Sequence, residues 1–352
     1  MAKLLDRLVP GIFLAGAAAV AHAAPIVYVP LGTANEIAIL DAATDTEIGK
    51  IGELINPHGL AVTPDGKRLV AGSNQEVLPG QGATPPKPEG MSEAEHQRHH
   101  APPPAGASQA GVSHVAVVSA QDGKVLRRID VKGAVHHTLV TPDGRYAIST
   151  HTTAGGISVI DLLDLKVVKT LPTGPIPNYA VATQDGQRVY VSNAGNNTIS
   201  EIDTGLWIVT RNILAGVGPE HVVLSPDEKT LYVNNVGNAT VSAIDLNTGK
   251  VMKTYNVGEQ PHGIDISDDG KTLFVASKQD NQVAAINLGD DKQRTIALQP
   301  APYHVTAIHG TGKLYVSSRK EPKIWVLDQR TLEIRGEIPV RGEGHQMVVV
   351  NP

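Results

Sequence analysis

Histidine is the residue type that gives this sequence its clearest chemical potential. His136, His262 and His304 lie in one register at multiples of 42 residues, and His58 and His345 extend the series towards the two ends of the chain. Neutral imidazole nitrogens are good ligands for copper, zinc and nickel. Because the 352 residues contain no cysteine, thiolate metal sites, iron–sulfur clusters and covalently attached c-type haem are excluded.

A turn signature follows these histidines and reveals an internal repeat. The segments HGLAVTPDG, HHTLVTPDG, NYAVATQDG, EHVVLSPDE, HGIDISDDG and HVTAIHGTG begin at positions 58, 136, 178, 220, 262 and 304. From 136 to 304 each step is 42 residues, and a seventh start follows 41 residues later at His345. The long step from 58 to 136 therefore contains an insertion of about 36 residues.

Each period contains four short apolar runs separated by turns rich in Asp, Asn, Gly and Pro, which is typical of four antiparallel strands. Four strands in about 42 residues predict one blade of a propeller. The sequence therefore predicts an all-β, seven-bladed β-propeller that forms one domain over residues 24–352. The N-terminal strands, beginning at IVYVP, are expected to complete the blade that the C-terminal segment from His345 opens.

Two segments carry a resemblance to a known family. RVYVSNAGNNTISEID (188–203) and TLYVNNVGNATVSAIDLNTGK (230–250) resemble the YVTN-type β-propeller repeat of secreted bacterial and archaeal proteins, which is related to the haem d1 propeller of cytochrome cd1 nitrite reductase. The similarity extends over essentially all of the chain after residue 23. It implies the fold, because the motif encodes strands and turns and leaves the chemistry open.

The start of each innermost strand lies at one face of a propeller, so the histidines there are expected to surround the axial mouth. The expected metal ligands are His58, His136, His262, His304 and His345, with His137 and His221 as auxiliary ligands. Glu220 and His151 are expected as alternates or as supporting residues. This set resembles, by position, the copper centres in the propellers of nitrous oxide reductase and thiocyanate dehydrogenase, which implies copper before zinc.

The insertion, residues 75–111, differs in composition from the repeats. Its flanks are rich in Pro and Gly, and its centre contains SEAEHQRHH with His96, His99 and His100. Because it interrupts the first complete blade between the second and third strands, these histidines are expected in a loop that covers the mouth. They are potential additional ligands.

The histidines are also compatible with roles that involve no bound transition metal. A Pro-His-Gly entry turn can have a purely structural role, with the imidazole bonded to a neighbouring backbone group. One axial histidine with Lys278 and Arg319 nearby could bind a tetrapyrrole of the haem d1 type, although aromatic residues are only 3% of the chain. A protein- or polymer-binding scaffold without chemistry is a third alternative.

The recurring aspartates such as Asp143 and Asp185 are predicted to form turns.

The N-terminus and the overall charge bear on location and partners. Residues 1–23 combine Lys3 and Arg7 with an apolar run and the small residues Ala21 and Ala23, which predicts a signal peptide and a periplasmic or secreted protein. A formal charge of -5 without a basic run argues against a nucleic-acid partner. No apolar stretch long enough for a membrane span is found after residue 23, and a monomer is expected. Redox chemistry would need an external electron partner, because no domain for electron entry is present.

Overall fold

The computed structural model describes residues 24–77 and 110–351. These residues form 28 strands arranged as seven four-stranded antiparallel sheets, which are the blades of a propeller. Two single-turn 3-10 helices, Gly32–Ala34 and Val236–Asn238, follow the second-innermost strands of two blades. The predicted fold is therefore confirmed, including the number of blades and of strands in each.

The strands follow the chain from the centre of each blade outwards. Blade 1 contains β4 (Pro57–Val62), β5 (Arg68–Ser73), β6 (Val112–Ser119) and β7 (Val125–Lys132). Blade 2 contains β8 (Val135–Val140), β9 (Tyr146–His151), β10 (Ile157–Asp161) and β11 (Lys166–Leu171). Blade 3 contains β12 (Pro177–Ala182), β13 (Arg188–Asn193), β14 (Thr198–Asp203) and β15 (Ile208–Leu214).

Blades 4, 5 and 6 repeat this order. Blade 4 contains β16 (Pro219–Leu224), β17 (Thr230–Asn235), β18 (Thr240–Asp245) and β19 (Lys250–Asn256). Blade 5 contains β20 (Pro261–Ile266), β21 (Thr272–Ser277), β22 (Gln282–Asn287) and β23 (Gln293–Ala297). Blade 6 contains β24 (Pro302–Ile308), β25 (Lys313–Ser318), β26 (Lys323–Asp328) and β27 (Ile334–Pro339).

Blade 7 joins the two ends of the chain. Its innermost strand is the C-terminal β28 (Val348–Val350), followed outwards by β1 (Ile26–Leu31), β2 (Glu36–Asp41) and β3 (Thr46–Ile51). A further bridge between Leu31 and Gly344 extends the β1–β28 pairing towards the mouth. The Gln346 side chain bonds the backbone N–H of Leu60 at 3.0 Å and the carbonyl of Thr138 at 3.0 Å, so it ties this blade to blades 1 and 2.

Apolar side chains pack between neighbouring blades. The described residues form seven buried hydrophobic clusters, one at each blade interface. The cluster between blades 2 and 3, for example, joins Ile148 and Val159 to Val189 and Val191. Because every blade buries its apolar faces on both neighbours, the closed ring is the stable unit, and it fixes where each innermost strand begins.

The insertion is attached at the face where the innermost strands begin. Its described ends are held together by a bridge between Val77 and Val112, and Glu76 accepts hydrogen bonds from the Ala134 N–H and the Thr153 hydroxyl of blade 2. His96, His99 and His100 lie outside the described residues, as does the predicted signal peptide 1–23. Within residues 24–77 and 110–351, we find no helix with the length and apolar character that crossing a membrane requires.

Candidate metal centre at the axial mouth

Strand pairing assigns two layers of side chains at the mouth. In each blade, the residue just before these layers pairs with the end of the second strand, as Pro261 pairs with Ser277. The first layer, in blade order, contains His58, His136, Asn178, Glu220, His262, Tyr303 and His345. The second layer contains Gly59, His137, Tyr179, His221, Gly263, His304 and Gln346.

This register corrects the sequence alignment in blade 6. His304 belongs to the second layer, and Tyr303 takes the position that His262 has in blade 5. The reason is a missing β-bulge: the third and fourth strands of the other six blades pair with a register shift, whereas the β22–β23 pairing of blade 5 is continuous. Without the extra residue of the bulge, the step from Pro261 to Pro302 is 41 residues and not 42.

Two glycines of the second layer are required by close packing. A Cβ at Gly59 would lie 2.7 Å from the backbone of His137 and Thr138, and a Cβ at Gly263 would lie 2.5 Å from the carbonyl oxygen of Tyr303. The neighbouring innermost strand therefore leaves no room for a side chain. The glycine of the Pro-His-Gly motif is explained by this packing, but the histidine before it is not.

The seven imidazoles converge around the axis. The ring centroid of His58 lies 3.8 Å from that of His345 and 4.6 Å from that of His136. On the opposite side, the ring of His221 lies 4.2 Å from that of His262 and 4.7 Å from that of His304. Contacts of 5.7 Å between His304 and His345 and 6.5 Å between His136 and His221 close the circle. All seven side chains are buried, with exposed fractions of 1–6%.

Three of these imidazoles are close enough to one another that they could hold one ion. His221, His262 and His304 each offer a ring nitrogen, and the three nitrogens lie within 4.8 Å of one another. They come from blades 4, 5 and 6, which are neighbours. His221, an auxiliary ligand in the sequence prediction, thus belongs to the most compact group.

Hydrogen bonds fix the tautomers of three first-layer histidines. Nδ1 of His58 lies 2.8 Å from the carbonyl oxygen of His136, and Nδ1 of His136 lies 3.1 Å from that of Asn178. A carbonyl only accepts, so Nδ1 carries the proton and the lone pair of the neutral ring is on Nε2. In the same way, Nδ1 of His262 donates to Oε2 of Glu220 at 2.9 Å. Glu220 therefore orients His262, as carboxylates behind metal-binding histidines do.

His137 has the opposite tautomer. Its Nδ1 accepts the backbone N–H of Ala180 at 3.2 Å, so the neutral ring carries its proton on Nε2. That Nε2 is buried without a hydrogen-bond partner among residues 24–77 and 110–351. The ring stacks on Tyr179 with a centroid distance of 3.5 Å. His137 thus presents a donor where its sequence neighbour His136 presents a lone pair.

Burial favours the neutral form of four histidines at the mouth: His137, His221, His304 and His345. It lowers the pKa of His304 to about 3, with smaller contributions from His136 and the positive charge of Arg319. It also lowers the pKa of His137, His221 and His345 far below the usual range of histidine, and neighbouring histidines add to the effect. Neutral imidazole is the form that binds metal ions.

The mouth also carries positive charge beside Tyr303. The Lys278 ammonium lies 5.7 Å from the centroid of the Tyr303 ring, and the Arg319 guanidinium lies 5.4 Å from it. Tyr303 itself stacks on His262, with planes 5° apart and centroids 3.9 Å apart. Arg319 forms an ion pair with Glu343, whose carboxylate is 4.0 Å from Nε2 of His345.

His151 is buried outside the circle, although the sequence suggested it as an alternate ligand. Its Nε2 lies 2.8 Å from the Ser158 hydroxyl within blade 2. Asn193 and Asn235, at the same position of blades 3 and 4, donate in the same way to Ser200 and Ser242. His151 also lines a separate pocket of about 190 Å³. It is therefore one of a series of blade-stabilising side chains.

Sequence reasoning missed the two tyrosines of the mouth. Tyr179 lies between His137 and His221, with ring centroids 3.5 and 4.3 Å away, and Tyr303 contacts His262, His304 and His345. Tyr179 precedes His221 by one 42-residue step, so the repeat contained its signal. Tyr303 is found when the blades are aligned on the proline that precedes the first layer.

Comparisons with solved structures show that other proteins share this fold. No protein-family model matches the chain, and no curated protein matches it. Hydrazine synthase of Kuenenia stuttgartiensis is 20% identical with a TM-score of 0.66, over 86% of this chain and 97% of that chain. The periplasmic gluconolactonase PpgL of Pseudomonas aeruginosa is 14% identical with a TM-score of 0.69, over 93% and 99%. The dihydro-heme d1 dehydrogenase NirN, in complex with DHE, is 16% identical with a TM-score of 0.61, over 89% of this chain and 63% of that chain.

Proposed function

We propose that the axial mouth binds a transition-metal ion through His221, His262 and His304. The observation that carries this proposal is the approach of three buried ring nitrogens to within 4.8 Å of one another. Bound zinc holds imidazole nitrogens at about 2.0–2.1 Å, so binding of one ion would draw the three nitrogens closer together than 4.8 Å. Copper and zinc both accept neutral imidazole and need no thiolate. The positional resemblance to copper-centre propellers makes copper the first expectation and zinc the second.

The surroundings of the three ligands support an ion rather than a packing role. Nε2 of His304 is buried and has no hydrogen-bond partner among the described residues. Leaving such an atom unpaired costs about 1–3 kcal/mol, and a bound ion would remove this cost. Glu220 behind His262 supplies the negative charge that strengthens this ligand.

The remaining imidazoles extend the proposal to more than one ion. His58 and His136, from blades 1 and 2, carry the lone pair of the neutral ring on Nε2, and the ring of His345 lies between those of His58 and His304. One ion takes four ligands in most zinc sites, and the six imidazoles other than His137 exceed this number. The positional resemblance to copper-centre propellers supports a copper site of this kind, with electrons supplied by an external redox protein. We further propose that the protein works in the periplasm, as the segment 1–23 suggests.

The test is the metal content of protein purified without a polyhistidine tag and incubated with Cu(II) or Zn(II). We expect at least one tightly held ion per chain. The His262→Asn and His304→Gln double variant copies Asn178 and Gln346 of blades 3 and 7, and it should lose the ion. Its apoprotein should stay folded, which a melting curve on the same samples checks, although the smaller Asn and the loss of the His262–Glu220 hydrogen bond lower its melting temperature.

His151→Asn is the matched control, because Asn occupies this position in blades 3 and 4. It should keep the ion. Parent protein without a bound ion, or a double variant that retains it, would refute the proposal. A Soret band in the purified protein would favour the tetrapyrrole alternative, for which the structural similarity to NirN is the motive. Colourless protein that binds neither copper nor zinc would favour a scaffold.

A further inference from the structure

The adjacent histidines of blade 2 have different hydrogen-bonding states, although the sequence predicts both as metal ligands. His136 donates through Nδ1 and carries its lone pair on Nε2. His137 accepts at Nδ1 from the Ala180 N–H and therefore carries its proton on Nε2. A protonated nitrogen cannot bind a metal ion, so His137 offers the mouth a hydrogen bond instead.

This donor is buried and ready for an acceptor. The exposed fraction of His137 is 3%, and Nε2 has no partner among the described residues. Stacking on Tyr179 fixes the plane of the ring. A buried N–H without an acceptor is costly, and a bound molecule that accepts this hydrogen bond removes the cost.

Positive charge reaches the same mouth from blades 5 and 6. Lys278 and Arg319 both lie within 6 Å of the Tyr303 ring centroid, and Tyr303 stacks on His262. Arg319 is largely buried, with a side-chain exposed fraction of 12%. Glu220 is directed to His262 and Glu343 is paired with Arg319, so these two carboxylates balance the two cations. The charge of the proposed metal ion then makes the mouth net positive, which favours an anion.

We infer that the molecule that binds at this mouth, next to the proposed metal, is a small anion. His137 donates a hydrogen bond to it, and Lys278 and Arg319 attract it. The molecule must be small, because the seven imidazoles are only 1–6% exposed. The inference rests on the proposed metal function, since the ion is the other partner of the anion.

The test compares formate with formamide, which have nearly the same shape but differ in charge. Binding to the metal-loaded protein is measured by isothermal titration calorimetry, with metal content determined on the same samples. We expect formate to bind at least tenfold more tightly than formamide. Equal affinities in protein that holds its ion would overturn the anion inference alone, whereas protein without an ion would overturn the metal proposal.

Charge variants locate the subsite. Lys278→Gln and Arg319→Gln should each weaken formate about tenfold, because each removes a cation next to the site. Lys320→Gln is the matched control: it makes the same charge change at an exposed neighbour of Arg319 and should leave formate affinity unchanged. An equal effect of all three variants would mean that only the overall charge matters, which would overturn the subsite.

Variants of His137 separate the donor from a metal ligand. His137→Phe keeps the stacking on Tyr179 but removes the donor, so it should weaken formate about tenfold while the ion stays bound. His137→Gln, which copies Gln346 of blade 7, retains an N–H and should restore part of the affinity. It also provides a readout if the Phe variant folds poorly. Loss of the ion in the folded Gln variant would show that His137 is a metal ligand and would overturn its assigned role.

Discussion

The two ends of the propeller axis use polar side chains in different ways. At the end with the Asp-Gly turns, the hydroxyl and the carboxylate of a turn are bonded to residues close to them in sequence. The Thr183 hydroxyl donates to Asp185 at 2.6 Å, and Asp185 also accepts the Gln187 N–H at 2.9 Å. At the mouth, bonds run between blades: His58 to the His136 carbonyl, and His262 to Glu220.

This contrast separates repeated structure from a specific site. The turn with its Thr or Ser and its Asp recurs in five blades with nearly the same distances, so it serves the blade in which it lies. The mouth contains His, Asn, Glu and Tyr at equivalent positions, and several of its buried nitrogens have no partner among the described residues. Polar groups satisfied within one blade explain the fold, and groups that converge from several blades define the candidate site.

Acidification is expected to have the largest effect on the stability of the apoprotein, and this effect comes from buried histidines at the mouth end. The pKa of His304 is lowered to about 3 and that of His151 to about 4 by burial, whereas an unfolded histidine titrates near 6.5. Below about pH 6.5 the unfolded chain therefore binds more protons, and the stability of the apoprotein falls as the pH is lowered through this window. His304 alone should cost about 2 kcal/mol between pH 6.5 and pH 5.

Urea unfolding of the apoprotein at pH 7, 6 and 5 measures this slope. His304→Gln and His151→Asn should each reduce it by up to about one proton, with the largest reduction near pH 5. A stability that stays constant from pH 7 to pH 5 would contradict the neutral, buried state assigned to these histidines.

Replacement of Glu220 should have the next largest effect, and only on metal binding. Glu220→Gln removes the negative charge behind His262 while its shape is kept, so metal affinity should fall about 10–100-fold. Competition with a chromophoric chelator measures this change. Glu343→Gln is the comparison, because its carboxylate is paired with Arg319 at the rim. Equal losses in the two variants would argue for a general field effect and against orientation of His262.

The turns should show a smaller effect, on stability alone. Thr183→Val removes the hydroxyl that donates to Asp185 and accepts the Arg188 N–H at 3.1 Å, and we expect a loss of about 1–2 kcal/mol. Thr141→Val makes the same change in blade 2 and should cost a similar amount. Denaturant titration and metal content, measured together, check both variants. A change in the metal content of either variant would contradict the proposal that the turns affect stability and not metal binding.

The sequence was sufficient where the interactions are local. The period, the four strands of each blade and the mixed blade 7 follow from apolar runs and turns, which depend on neighbouring residues. The register of blade 6 was wrong because the missing bulge lies in the β22–β23 pairing of blade 5, a feature that the period alone does not show. Aligning Pro302 of blade 6 with Pro261 of blade 5, in place of aligning His304 with His262, corrects this register.

The chemistry at the mouth could be predicted only in part. Recurrence of histidine indicated which strands bring imidazoles together at the mouth, but the tautomers depend on groups of the adjacent blade, such as the Asn178 carbonyl and the Ala180 N–H. The place of His151 at a strand end says nothing of the direction of its side chain, which is towards Ser158. The roles of His96, His99 and His100 stay predictions.

The most direct test of the central claim is anomalous diffraction from crystals of copper-loaded protein, recorded at the copper absorption edge. We predict an anomalous peak on the propeller axis, at about 2.0–2.1 Å from a ring nitrogen of each of His221, His262 and His304. A copper peak at the pocket beside His151, at the outer strands, or nowhere in a crystal with an ordered mouth would contradict the account.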